Sequence, residues 1–251
     1  MVARNDNVIA FNAFVLNTKL FISNYLSQTA IMSIVLYDFD GTLTNYDTIW
    51  SLGIAIANEK QHPIKSVYNF LKYSIKLKFR YISNNDFKKK CAALLLSSEE
   101  EKKILEVVEK YVNKRFHKMI NVEILSTLQK YRNEGSDIYL VSSNYDFFLK
   151  QFIELWGLSG IIATQTEVIN GIFTGRLLGE ACHGVQKVLR VRETIGETRA
   201  REAIAYGDSR GDLELLKYVR EGYWIKKSYK GTKKLRKLKK ITIEIIRSTG
   251  E

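Results

Sequence analysis

The chain has 251 residues, 45% hydrophobic, 12% aromatic and 26% charged, which is enough apolar material for one large domain or a domain with a modest insertion. That balance excludes a disordered tail protein, a collagen and a disulfide scaffold. The net charge of +12 is local: residues 226–240 hold eight Lys, one Arg and no acid, and the remainder carries 30 basic against 27 acidic residues, so the tail reads as a solvated basic run rather than as the function.

Residues 1–31 mix Asn, Ser and short apolar pieces without a period, and they fit a secretory signal poorly. Met32 stands directly before the first strand pattern, so 1–31 reads either as a segment upstream of a start at Met32 or as a loosely attached arm translated from Met1. The two cysteines, Cys91 and Cys182, are far apart and lack metal-type spacing, which suits a reduced, cytoplasmic setting. No apolar run reaches the length of a membrane span.

Four short runs, Ser33–Tyr37, Asp137–Val141, Ala203–Tyr206 and Gly222–Ile225, are β-branched or aromatic and lack polar alternation. Parallel strands buried on both faces look this way. Helical spacing between the runs predicts a doubly wound, Rossmann-like α/β core over 32–49 and 121–226. Residues 50–120 break the rhythm. They are rich in Lys, Leu, Glu and Ala, contain the one proline, Pro63, and read as an inserted all-α cap, with Ser98 as the N-cap of its last helix. In this cap Lys65, Lys72, Lys76 and Arg80 share one helical face, with Val67, Phe70, Leu71, Ile75 and Leu77 opposite. Such a helix packs on its own domain or lies on a membrane surface. Further on, Asn170-Gly171 between apolar pairs predicts a hairpin within 167–177. Residues 227–251 form the basic tail.

The chemistry-bearing residues gather at strand ends. The first strand runs into Asp38-Phe39-Asp40-Gly41-Thr42, the second ends at Val141-Ser142-Ser143-Asn144, and the third at Gly207-Asp208 with Asp212 beyond. Alternation sends Asp38 and Asp40 to one side, and Gly41 permits a sharp turn. Open α/β sheets bind ligands at the carboxyl ends of strands. With Lys187 added, the set offers carboxylate oxygens for a hard cation and a hydroxyl and an ammonium for phosphoryl oxygens.

This set, Asp38-x-Asp40-Gly41-Thr42, Ser142, Lys187 and Gly207-Asp208-x₃-Asp212, resembles the four motifs of the haloacid dehalogenase (HAD) superfamily. The insertion between the first two motifs resembles the phosphoserine-phosphatase-like branch. That resemblance implies a Mg²⁺-dependent phosphatase in which Asp38 is the nucleophile and Asp40 the general acid and base. It further implies that Asp38, the backbone carbonyl of Asp40 and Asp208 bind the metal, with Asp212 and Thr42 in support. Ser142 and Lys187 would bind phosphate. Asp47 stands where phosphoserine phosphatases carry a substrate-selecting Glu, Ser142-Ser143-Asn144 replaces their Ser-Gly-Gly, and the cap arginines are Arg80 and Arg115. The expected function is hydrolysis of a small soluble phosphomonoester. The alternatives are a lipid-phosphate phosphatase working at an anionic membrane and a non-catalytic binder of nucleic acid or anionic surfaces. The expected location is cytoplasmic, with peripheral membrane contact in the lipid case, and the oligomeric state stays open.

Overall fold

The computed structural model describes residues 33–225 and the short strand at 239–241. The N-terminal extension and most of the basic tail lie outside the described residues. Strands β1 (Ile34–Tyr37), β2 (Asp137–Tyr145), β3 (Gly160–Thr164), β6 (Ile204–Gly207), β7 (Glu221–Trp224) and β8 (Lys239–Ile241) form one sheet in the order β3-β2-β1-β6-β7-β8. All neighbours are parallel except β8, which runs antiparallel along β7.

β1 shows why the apolar runs lack alternation. Val35 and Tyr37 enter one buried cluster, while Ile34 and Leu36 enter another on the opposite face. Helices covering both faces leave no solvated side, so every position is apolar. Tyr37, Tyr206 and Tyr223 are register neighbours in β1, β6 and β7. They stack with ring centroids 4.8 and 4.9 Å apart. The chain leaves β1 toward β2 and β3 and returns to β6 on β1's other side. The strand order therefore reverses at β1 and β6, where ligand crevices open in such sheets.

Between β1 and β2 lie α1 (Ile49–Asn58), α2 (Pro63–Lys78), α3 (Asn84–Leu96) and α4 (Glu101–Met119), followed by α5 (Val122–Asn133), which leads into β2. Gly53 lets α1 and α2 approach closely, since a Cβ there would lie 2.3 Å from the Phe70 ring. The two connections to the core run side by side: Thr44 bridges Ile120, Asn45 N–H donates to Met119 O, and Asn121 N–H donates to Leu43 O. The expected Ser98 N-cap is corrected. Ser98 has φ +61 and Glu100 precedes the first turn, because Ser98 N–H and Glu99 O are taken by Phe173 of the hairpin. That hairpin, β4 (Thr166–Ile169) and β5 (Ile172–Leu177), turns at Asn170 and Gly171 as expected, both with positive φ. After it come α6 (Val185–Ile195), α7 (Glu197–Arg201) and α8 (Leu213–Tyr218), which cover the second face.

Candidate active site

The site is built on the loop that leaves β1. Phe39 is fully buried, its ring 4.9 Å from Phe152 and 5.6 Å from Phe148, and it anchors the loop while Asp38 and Asp40 on either side stay in the site. Gly41 takes φ +82, and a Cβ there would sit 2.2 Å from an Asp208 carboxylate oxygen. The glycine is thus required both by the turn and by the approach of β6's carboxylate.

Lys187, from α6, is 2% exposed. Its Nζ donates to Asp38 Oδ1 at 2.6 Å, Asp212 Oδ1 at 2.5 Å and Val141 O at 2.7 Å. An ammonium has three donors, so all are engaged and Lys187 ties three strand ends together. Burial alone would lower its pKa, but the Asp212 and Asp38 charges outweigh this and raise it. Burial and the Asp212 charge push Asp38 up, with Lys187 opposing. Asp212 is held low: Lys187 and two Ser209 donors outweigh its burial. Thr42 Oγ1 donates to Asp38 Oδ2 at 3.3 Å, beside the carboxylate that it is expected to support. Ser142 is buried beside this cluster, and its Oγ accepts from Asn144 N–H at 3.1 Å.

Asp40 has different partners. Its Oδ1 accepts from Thr48 N–H at 2.8 Å and Thr48 Oγ1 at 2.6 Å, and its Oδ2 accepts from Asn144 Nδ2 at 3.0 Å. Two carboxylates this close in sequence would disfavour each other's ionisation if they met, but Asp40 does not titrate for that reason. Instead burial first, then the Asp47 charge, raises the Asp40 carboxyl to about 7 against the Thr48 hydrogen bonds. The Asp40 carboxylate also stands apart from the acidic cluster, which is Asp38, Asp208 and Asp212 with carboxylate oxygens within 4.8 Å of one another. Asp47 is exposed, and its carboxylate accepts from Ile49 N–H and Trp50 Nε1 at the start of α1.

Three residues to which the motifs assign no role belong here. Thr48 and Asn144 hold Asp40, and Asn144 occupies the second-motif position where the branch carries glycine. The third is Lys88, from α3. It is 2% exposed, with Nζ 5.0 Å over the Tyr145 ring centroid. Burial lowers its pKa, while Asp47 and Asp40 support its charge. A lysine at an inward position of a helix is its only signal, and the run Lys88-Lys89-Lys90 disguises it. Beside the site, Arg80, Tyr81, Asn84 and Asp86 line an open cleft with His183.

The model of the haloacid dehalogenase-like hydrolase family matches residues 35–217. The chain belongs to that family. Phosphoserine phosphatase SerB1 of Mycobacterium tuberculosis is 32% identical over 96 residues, covering 36% of this chain and 30% of that protein. Protein CicA of Caulobacter vibrioides is 27% identical over 205 residues, covering 76% of this chain and 86% of its own length. The chain thus matches less than a third of the phosphatase relative. A Bordetella pertussis protein described as of unknown function shares the fold, with a TM-score of 0.67 at 19% identity over 74% of this chain and 86% of that one.

Proposed function

We propose that the chain is a Mg²⁺-dependent phosphomonoester hydrolase that works through an aspartyl-phosphate on a small soluble substrate, with the helical insertion as its cap. The observation that carries this is the separation of roles two residues apart. Asp38 is ion-paired to Lys187 within the acidic cluster, whereas the Asp40 carboxyl is held outside that cluster by Thr48 and Asn144.

In this reading an Asp38 oxygen attacks phosphorus. The bond to the ester oxygen breaks, and its electron pair stays on the leaving oxygen. The protonated Asp40 carboxyl gives that oxygen its proton. Asp40, now a carboxylate, accepts the proton of a water that attacks phosphorus, releasing inorganic phosphate and restoring Asp38. Thr48 and Asn144 keep the Asp40 carboxyl aimed. Ser142 and Lys187 bind phosphoryl oxygens, with Lys187 exchanging one of its three present acceptors. Lys88 closes the cap side with a second cation, and Asp47 faces the remainder of the substrate.

The donor set fits Mg²⁺, since the clustered carboxylates supply only hard oxygen ligands. Asp38, Asp208 and the backbone carbonyl of Asp40 would hold the ion, with Asp212 in support. When bound, it supplies positive charge that offsets the negative charge on the transferred phosphoryl group. The name of the SerB1 relative supports a phosphatase activity and, more weakly, an amino-acid phosphate as substrate.

The test is turnover of an aryl phosphate and of phosphoserine with and without EDTA, in wild type and Asp38→Asn. Asp38→Asn should lose on the order of 10⁴-fold or more in kcat and keep its circular dichroism spectrum. Wild-type rates in that variant would overturn the mechanism. Full activity in EDTA would overturn the metal requirement. Hydrolysis by neither protein, with salt-sensitive nucleic-acid binding instead, would favour the non-catalytic binder.

A further inference from the structure

Two helices of the insertion, similar in length, treat their outward faces differently. On α4 the exposed positions include Lys102, Lys103, Glu106, Glu109, Lys110 and Lys114, while Ile104, Val107, Val108, Tyr111 and Val112 are buried. This is the ordinary division for a helix packed on one side. On α2 the inward face is formed by Ser66, Phe70 and Ser74, with Val67, Tyr73 and Leu77 partly covered. The outward face is also apolar: Ile64 is 86% exposed, Tyr68 64%, Leu71 40% and Ile75 56%, and Phe79, just past the helix, continues it at 64%. Leu71 and Ile75, which the sequence reading grouped with Phe70 on one packed face, in fact belong to this outer stripe.

At 3.6 residues per turn these five side chains fall within an arc of roughly 80°. Lys65, Lys72 and Lys76 run along one flank, Lys78 lies on the other, and Arg80 follows the helix end. Residues 61–85 contain no Asp or Glu. Single exposed apolar residues are ordinary; a continuous stripe of them on one helix marks a binding face.

We propose that α2 is a docking face for an anionic lipid surface, with the stripe from Ile64 to Phe79 entering the interface and the flanking lysines meeting the headgroups. An interfacial helix combines an apolar face, cations at its margins and aromatic side chains near the polar boundary, and Tyr68, Phe79 and Tyr81 supply the last. Charge decides against a second copy as the occupant, because two such faces would each bring five cations and no acid. A planar anionic surface suits cations spread along the whole helix better than a protein partner with discrete acidic contacts. The basic run at 226–240 adds attraction of the same sign. None of the five stripe residues touches the catalytic cluster, so this face stands independently of the phosphatase reading.

The test uses the full chain and sedimentation with vesicles of phosphatidylcholine, alone or with phosphatidylglycerol at about 30%, at low and high salt. Wild type should sediment only with the anionic vesicles, and less at high salt. The triple substitution Leu71→Ser, Ile75→Ser, Phe79→Ser should weaken binding by about tenfold or more, leaving circular dichroism and turnover of a soluble aryl phosphate unchanged. Wild type remaining in the supernatant with both vesicles would overturn the proposal. So would a triple variant that sediments like wild type, because the basic run would then suffice. A wild-type dimer in light scattering that the triple substitution makes monomeric would assign the stripe to a second copy instead.

Discussion

The strand-end site and the outer face of α2 depart from the usual division of polar and apolar residues in opposite directions. At the strand ends Lys187, Asp38 and Asp212 are almost sealed from solvent; on α2, Ile64 and Ile75 are mostly exposed. Burying three charges is costly and persists only because each has a close partner. Exposing a stripe of large apolar side chains likewise costs solvation that a soluble helix surface avoids. Folding alone accounts for neither arrangement. The interior of the insertion, by contrast, is conventional: Phe70, Phe87, Cys91 and Leu95 pack as its core.

Stability measurements would sharpen this contrast. Lys187→Met should have the largest effect, about 3–5 kcal/mol at neutral pH, because it leaves Asp38 and Asp212 buried without their cation. Urea unfolding would read it. A loss below about 1 kcal/mol would mean that the charges are not paired through Lys187. Gly53→Ala should cost less, about 1–3 kcal/mol, since its Cβ meets the Phe70 ring and the α1–α2 contact must open. The same measurement, with circular dichroism, checks whether the damage stays within the insertion. The smallest effect should come from Glu99→Gln. Lys60 and Lys103 hold Glu99 at 2.7 and 2.9 Å and lower its pKa despite its partial burial. A depressed carboxylate stabilises above its unfolded pKa and loses that contribution as pH falls through its folded pKa. The variant should therefore trail wild type by up to about 1 kcal/mol at pH 7 and converge with it as pH drops below about 4. A gap that persists in acid would assign the effect to packing.

Much of this was legible in the sequence. β1, β2, β6 and β7 fall within a residue or a few of their apolar runs, and the Asn170-Gly171 turn and the helical insertion lie where expected. β3 escaped notice because Gly160–Thr164 offers only three apolar residues between a glycine and polar neighbours. β2 continues through Ser142, Ser143 and Asn144, whose polarity hides a strand that is polar where it meets the site. The carboxylates and Ser142 could be named because strand ends in an α/β sheet converge, whereas Lys187, on α6, was named through the four-motif resemblance. The roles of Thr48, Asn144 and Lys88 could not be named, since their importance comes from which carboxylate each one faces. The outward stripe of α2 was only partly legible for a related reason: spacing reveals an apolar face, here with packing on its own domain and a membrane surface both open, but not what lies against it.

The paired connections at Thr44 and Ile120 bear on the order of assembly. β1 and β2 are sheet neighbours, yet Tyr37 and its partner Leu140 are separated by roughly a hundred residues. Closing so long a loop before any contact rewards it is slow. An insertion that folds early and brings its own ends together shortens that search to the few residues on either side of the Thr44–Ile120 bridge. The helical module would then act as a splint for the nucleation of the parallel sheet.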